Sequence, residues 1–169
     1  MQISVHTISD GGIDIPVQLE QSWAAAVATT VLETPALGLS GLLHFRLRGR
    51  SVQVSGSVSS RGMRTCQRCN AEVEAVVNTD VDLAYVPSSH MASGGADIQL
   101  SAGDLDVGWY YDGVIVVDDV LSEALTLALP DRIICTNVPA CDARISNLLA
   151  SAGDSQARES TFAALKTLL

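Results

Sequence analysis

The sequence predicts an α+β domain built on an antiparallel β-sheet, open or curled toward a barrel, with helices packed on it. Three observations predict it. Apolar residues recur with a period of two across most of residues 39–86, the spacing that puts one face of a strand in a core. Two stretches, residues 17–33 and 120–129, have helical length and helix-type boundaries. Hydrophobic residues make up 47% of the 169 residues, enough to fill the core of one domain of this size.

The elements follow in order. Residues 1–16 read as irregular, with Asp10, Gly11 and Gly12 as a turn. A helix is expected after Pro16, through the run Trp23–Ala28, until Pro35 and Gly38 stop it. The β-branched Thr29, Thr30 and Val31 weaken its second half, so a strand component stays open there. Leu43, Phe45 and Leu47 alternate with His44, Arg46, Arg48 and Arg50. That is a half-buried strand with a basic face. Gly49 and Arg50 form the expected hairpin turn into a second strand carrying Val52, Val54 and Val58. Residues 72–86 are the third strand, and three strands with short connections imply antiparallel pairing.

Residues 87–104 read as a long loop. Residues 107–117 suggest a short hairpin around Asp112 and Gly113. Asp118 or Asp119 is the expected cap of a helix over residues 120–129, which Pro130 stops. Residues 142–150 form another short helix, 151–155 a linker, and 158–169 a terminal amphipathic helix with Phe162, Leu165, Leu168 and Leu169 apolar.

The net charge is −9, which spread evenly would repel nucleic acid and anionic membranes. It is not spread evenly. No Asp or Glu stands between Glu33 and Glu72, while Arg46, Arg48, Arg50, Arg61, Arg64 and Arg68 do. That segment carries +6, so the remainder carries −15. Arginine suits phosphate because its planar fork donates two parallel hydrogen bonds. The other reading of these residues is a solvated face paired with the protein's own acids. No stretch reaches the length of a membrane-spanning helix, and the N-terminus lacks the basic and apolar blocks of a secretory signal. The expectation is a cytoplasmic protein.

Cys66 and Cys69 form a CxxC pair, and Cys135 and Cys141 a wider one. Two loop-borne pairs far apart in sequence can close one tetrahedral four-thiolate zinc site that clips the C-terminal section to the sheet. Unligated thiols and disulfides are the other readings of the same four residues. Thioredoxin-type redox chemistry fits poorly, because its CxxC opens a helix and this one lies between strands.

Other chemistry is thinly signalled. Asp104, Asp106, Asp112, Asp118 and Asp119 match no calcium loop, and capping or solvation suits them better. His6, His44 and His90 are scattered, with His44 on the basic face. No phosphate-binding glycine loop, nucleophile elbow or HExxH motif is present. Trp109, Tyr110 and Tyr111 read as core plus rim, or, if exposed, as a protein-contact anchor. The helix over residues 120–129 is apolar on nearly all sides, which calls for burial or a partner.

Residues 56–76, with Gly56, Val58, Cys66-Gln67-Arg68-Cys69, Val73 and Val76, resemble the core of the YceD-like family, the large ribosomal RNA subunit accumulation proteins. Residues 112–130, from Asp112-Gly113 to Leu127-Ala128-Leu129-Pro130, are similar to that family's second signature, and Cys135 follows where expected. The resemblance spans roughly residues 40–142. It implies a bacterial or organellar ribosome-assembly factor without enzymatic activity. The chain departs from the family after Cys135, where Cys141 is the only further cysteine.

The expectation is therefore a single YceD-like domain over residues 1–150, followed by a C-terminal linker and helix over 151–169. Its function would be non-enzymatic support of large-subunit ribosomal RNA accumulation. Arg46, Arg48, Arg50, Arg61, Arg64 and Arg68 would meet RNA or a ribosomal precursor, and the acidic remainder would either discourage non-specific RNA binding or hold a basic ribosomal protein. Cys66, Cys69, Cys135 and Cys141 would hold a structural zinc ion. A zinc-stapled protein–protein adaptor that touches no RNA is the alternative, and a redox or metal-dependent enzyme the third.

Overall fold

The computed structural model describes residues 1–88 and 107–153. The chain forms two compact units, one of residues Met1–Arg64 and Glu74–Asp131, the other of Thr65–Val73 and Arg132–Leu169.

The first unit is α+β. Its main sheet holds β2 (Ile13–Gln18), β3 (Ala36–Arg48), β4 (Ser51–Thr65), β5 (Glu72–Pro87) and β6 (Val107–Tyr110), in that order across the sheet. A second sheet pairs β1 (Gln2–Ser4) with β7 (Val114–Val116). Among the described residues the larger sheet is open, with β2 and β6 at its edges.

The period-two segments form the sheet as the alternation requires. Leu43, Phe45, Val52 and Val54 are fully buried, and Phe45 pairs directly with Val54. The β3–β4 hairpin turns at Gly49, whose φ of 64° suits glycine. Further along, Gly56 has φ 154°, and a Cβ there would sit 2.0 Å from the Leu42 carbonyl oxygen. Only glycine lets the two backbones approach so closely.

Helix α1 (Ser22–Leu32) buries Ala24, Ala28 and Leu32, a stripe at i, i+4 and i+8. It packs against β3 and against α2 (Val117–Ala128). Helix α2 buries Val117, Val120, Leu121, Ala124 and Leu125 and leaves Leu127 78% exposed. The helix is thus buried along one side only.

Several sequence expectations need correction. Residues 1–16 are not irregular: they contain β1, a 3-10 turn at Val5–Thr7 and most of β2. Their strands depend on partners far along the chain, such as Ile3 opposite Ile115 and Ile15 opposite Leu43. Pro16 belongs to β2 rather than opening a helix, and an edge strand tolerates its missing N–H. Asp118 and Asp119 lie in the first turn of α2 instead of capping it, and Asp118 pairs with the Met1 ammonium.

Asp112 and Gly113 do make a tight turn, with φ 52° and 70°. Yet pairing across it ends at Tyr111 and Val114. Strand β6 joins β5 in parallel, while β7 leaves for β1. The sheet is therefore mixed: β2–β3 and β3–β4 are antiparallel and β5–β6 is parallel.

The second unit contains the β4–β5 connection, a segment from Arg132 without helix or strand, and α3 (Val138–Gly153). Asn137 caps α3 through a 3.0 Å bond from the Ala140 N–H to its Oδ1. The cap starts the helix four residues before the expected residue 142. Ser151, Ala152 and Gly153, expected as linker, continue α3. Pro87, expected in the loop over residues 87–104, ends β5 instead; that loop beyond residue 88 and the expected terminal helix over 158–169 lie outside the described residues, as does His90.

Candidate functional site

The second unit is organised around its cysteines. The first pair sits in a knuckle: the Cys66 N–H donates to the Ala71 carbonyl at 2.8 Å, and the Asn70 N–H donates to the Cys66 carbonyl at 2.9 Å. Asn70 closes the turn with φ 58°, a left-handed conformation asparagine tolerates. The second pair is brought in by backbone. The Gln67 N–H donates to the Ile133 carbonyl at 2.9 Å, and the Ile133 N–H donates to Gln67 Oε1 at 3.3 Å. Cys141 enters from the first turn of α3, its N–H bonded to the Asn137 carbonyl at 3.1 Å.

The result is one cluster. Cys66, Cys69, Cys135 and Cys141 are all buried, and their four Sγ atoms lie within 4.8 Å of one another. Cys66 Sγ is 4.0 Å from Cys141 Sγ, and Cys69 Sγ is 3.5 Å from Cys135 Sγ. These are not disulfide distances, and all four cysteines are free. A tetrahedral ion with metal–sulfur bonds of about 2.3 Å needs sulfurs roughly 3.8 Å apart. The donor set and its spacing can therefore hold a metal ion. Ala71, Val73 and Ile145 pack around it.

The electrostatics divide the four thiols. Burial pushes Cys66 up, but N–H groups of Cys69, Arg68 and Cys135 aimed at its sulfur outweigh that and hold it at about 6. The Ala71 N–H is the largest influence on Cys69 and lowers it against burial. Cys135 goes the other way: its hydrogen bond with Cys69 and its burial push it up to about 12. Cys141 is raised, first by burial. Without a cation, then, the first pair is shifted toward thiolate and the second pair toward the protonated thiol. Two charges on a metal ion remove that conflict, and the Arg144 guanidinium, 3.9 Å from Cys135 Sγ, adds a third.

The five predicted arginines of the first unit are not brought together as one set. Arg46 and Arg48 are exposed on the outward face of β3, opposite Gln53 and Ser51 of β4. Arg50 is exposed in the hairpin turn. Arg61 is on β4 beside Gly38, eight β3 residues from Arg46, roughly 26 Å along the strand. Its Nη1 lies 3.7 Å from Glu74. Arg64 is turned inward with 15% exposure: it donates to the Leu32 carbonyl at 2.6 Å and pairs with Glu33 at 2.8 Å. Arg68, in the second unit, pairs with Asp142 at 2.6 Å. His44, expected as a surface contact on the basic face, has Nδ1 2.6 Å from Asp14 Oδ1 across β2–β3.

Residue-type reading passed over Gln67, Asn137, Asp142 and Arg144, which shape the cluster. Asn137 carried a usable signal, a cap residue just before a helix. The other three had none until the two cysteine segments met.

An α+β protein with a separate small unit gathered around a buried four-cysteine cluster is the class that fold and site define. Within that class the chain belongs to the family of the large ribosomal RNA subunit accumulation protein YceD, whose family model matches residues 54–169. No curated protein and no solved structure matches it. The matched region includes both cysteine pairs and α2, while Arg46, Arg48 and Arg50 precede it. The family's description connects the chain to the large ribosomal subunit and its RNA. Among the described residues no helix is long and apolar enough to cross a membrane.

Proposed function

We propose that the protein is a non-enzymatic factor supporting large-subunit ribosomal RNA accumulation, and that it meets RNA or a ribosomal precursor through the arginines of the β3–β4 hairpin. Such a partner implies a cytoplasmic site of action. The observation that carries the RNA contact is the placing of Arg46 and Arg48 on one outward strand face, within a chain segment devoid of acids. Arg50 extends this row at the turn. Arg61 and Arg68 are exposed as well, and each can take a phosphate at its own position, because a surface ion pair is worth only about 0–1 kcal/mol and a phosphate can replace the carboxylate. Arg64 stays out, since its guanidinium is committed to α1.

Zinc is the ion proposed for the four-cysteine cluster. Four buried thiols and no oxygen ligand suit zinc and suit neither calcium nor magnesium. Full occupation by protein ligands makes the role structural rather than catalytic.

The RNA contact is tested by replacing Arg46 and Arg48 together with Glu and measuring RNA recovered with the protein from lysate, and its salt dependence. The native chain should show a log–log salt slope of about −2 to −3, as expected for three to four phosphate contacts on a single strand. The double variant should lose the RNA and keep its thermal unfolding. Unchanged recovery from a folded variant sinks the contact. The zinc-stapled adaptor without RNA contact draws support from the pairing of Arg61, Arg64 and Arg68 with the chain's own carboxylates; it predicts binding nearly insensitive to salt.

A further inference from the structure

A second surface, in the first unit, has a different chemistry. A cleft of about 350 Å³ is lined by Tyr85, Trp109, Tyr110, Tyr111, Asp112 and Asp119, with β7 and Gln2 completing it. The whole chain has seven Phe, Trp and Tyr residues, and four of them line this one cleft. They are not core overflow: Trp109 is 41% and Tyr111 60% exposed, although large exposed rings are costly to leave in water.

The cleft is also held in shape. Tyr110 is buried and its hydroxyl donates to the Arg50 carbonyl at 2.8 Å. Tyr85 lies opposite Gly108 across β5–β6, and a Cβ at Gly108 would come within 2.5 Å of the Tyr85 ring. Glycine is what leaves room for that ring beside the strand. The volume is at the lower end of ligand pockets, roughly 300–1,000 Å³, and suits a side chain better than a cofactor.

The charge of the cleft selects the occupant. Asp112 and Asp119 line it, and no Lys, Arg or His does among the described residues. After burial, Glu123 and Asp119 are what push the Tyr85 phenol up, so the local potential is negative. Ring faces are themselves electron-rich and attract cations. Nucleic-acid bases also stack on aromatic residues, but their phosphates would meet these carboxylates without a basic group to offset them. We propose that this cleft recognises a cationic side chain, guanidinium or ammonium, of a basic polypeptide, which stacks on Trp109 and Tyr111 with Asp112 and Asp119 as counter-charges. The site is independent of the β3 arginines and of the cysteine cluster.

The test uses the full chain and two labelled peptides of twelve residues, one carrying four arginines and the other citrulline in their place, with binding read by fluorescence anisotropy. The arginine peptide should bind about tenfold tighter or more than the citrulline peptide, the effect expected of two ring contacts with a desolvated cation. Replacing Trp109 and Tyr111 together with Ala should remove that preference. D119N, which changes only an exposed charge, should weaken the arginine peptide severalfold and leave the fold intact, so it decides the matter even if the double variant is unstable. The Arg46→Glu, Arg48→Glu variant should bind the peptide at least as well as the native chain. Equal affinity for both peptides, or an unchanged preference in D119N or in a folded ring variant, overturns the proposal. So does a twelve-nucleotide oligouridylate that outcompetes the arginine peptide in the native chain but not in the ring variant, since the cleft would then be a nucleic-acid site.

Discussion

Arg64 donates to the Leu32 carbonyl oxygen at 2.6 Å, so an arginine of β4 closes the last turn of α1. A second, longer bond of 3.5 Å runs to the Val31 carbonyl, and Glu33, in the left-handed conformation past the helix end, completes the arrangement at 2.8 Å. Carbonyls at a helix C-terminus have no partners within the helix, and a cation there also opposes the negative end of the helix dipole.

Replacing Arg64 with Ala should therefore destabilise the fold by about 1–3 kcal/mol, the range for losing hydrogen bonds to a charged group. Replacing Arg46 with Ala should change stability by no more than about 0.5 kcal/mol, as for an ordinary surface site. Urea titrations of the two variants check this. Equal midpoints would remove the structural role of Arg64 and return it to the RNA-facing set.

Protein purified without chelator should carry close to one zinc per chain, and Cys66→Ser or Cys135→Ser should lose it together with protection of residues 132–153 from hydrogen exchange. Zinc uptake near neutral pH should release protons, chiefly from Cys135 and Cys141, because those two are the thiols raised above the ordinary cysteine value. Proton release on binding means that affinity rises with pH. Calorimetry in buffers of different ionisation enthalpy measures the release, and metal analysis of both variants measures the loss. Full zinc content in Cys135→Ser would exclude a four-thiolate site.

Tyr85 is pushed up to about 12, by burial first and by Glu123 and Asp119 next. An unfolded tyrosine ionises near pH 10. Between these values the folded chain retains a proton that the unfolded chain has lost. The stabilisation tied to the protonated phenol is thus complete below about pH 10 and is lost as pH rises toward about 12. In Tyr85→Phe the melting temperature should fall less steeply over that interval than in the native chain. Parallel curves would show that the phenol is not held protonated by its surroundings. The effect is modest, because the ring is only partly buried.

The strands that carried their own alternation were legible: Leu43, Phe45, Val52 and Val54 point inward as their spacing requires. So was α2, whose apolar run and the Pro130 that follows it mark a helix within the segment's own residues. Strand β1 was not legible, because its three residues form a strand only against β7, more than a hundred residues away. The parallel β5–β6 pair was hidden for the same reason: strand direction depends on the path between the strands, not on the composition of either.

The site divides along the same line. Which residues can ligate a metal, and that acid-free residues 34–71 carry the bulk of the positive charge, were properties of the sequence by itself, since side-chain chemistry is local. Only the tertiary structure decided that Cys66 and Cys69 meet Cys135 and Cys141, and that Arg64 serves a helix end while Arg46 and Arg48 face solvent. Those outcomes rest on hydrogen bonds and burial between segments distant in the chain, such as Gln67 with Ile133. Residue type and local spacing carry no record of such partners.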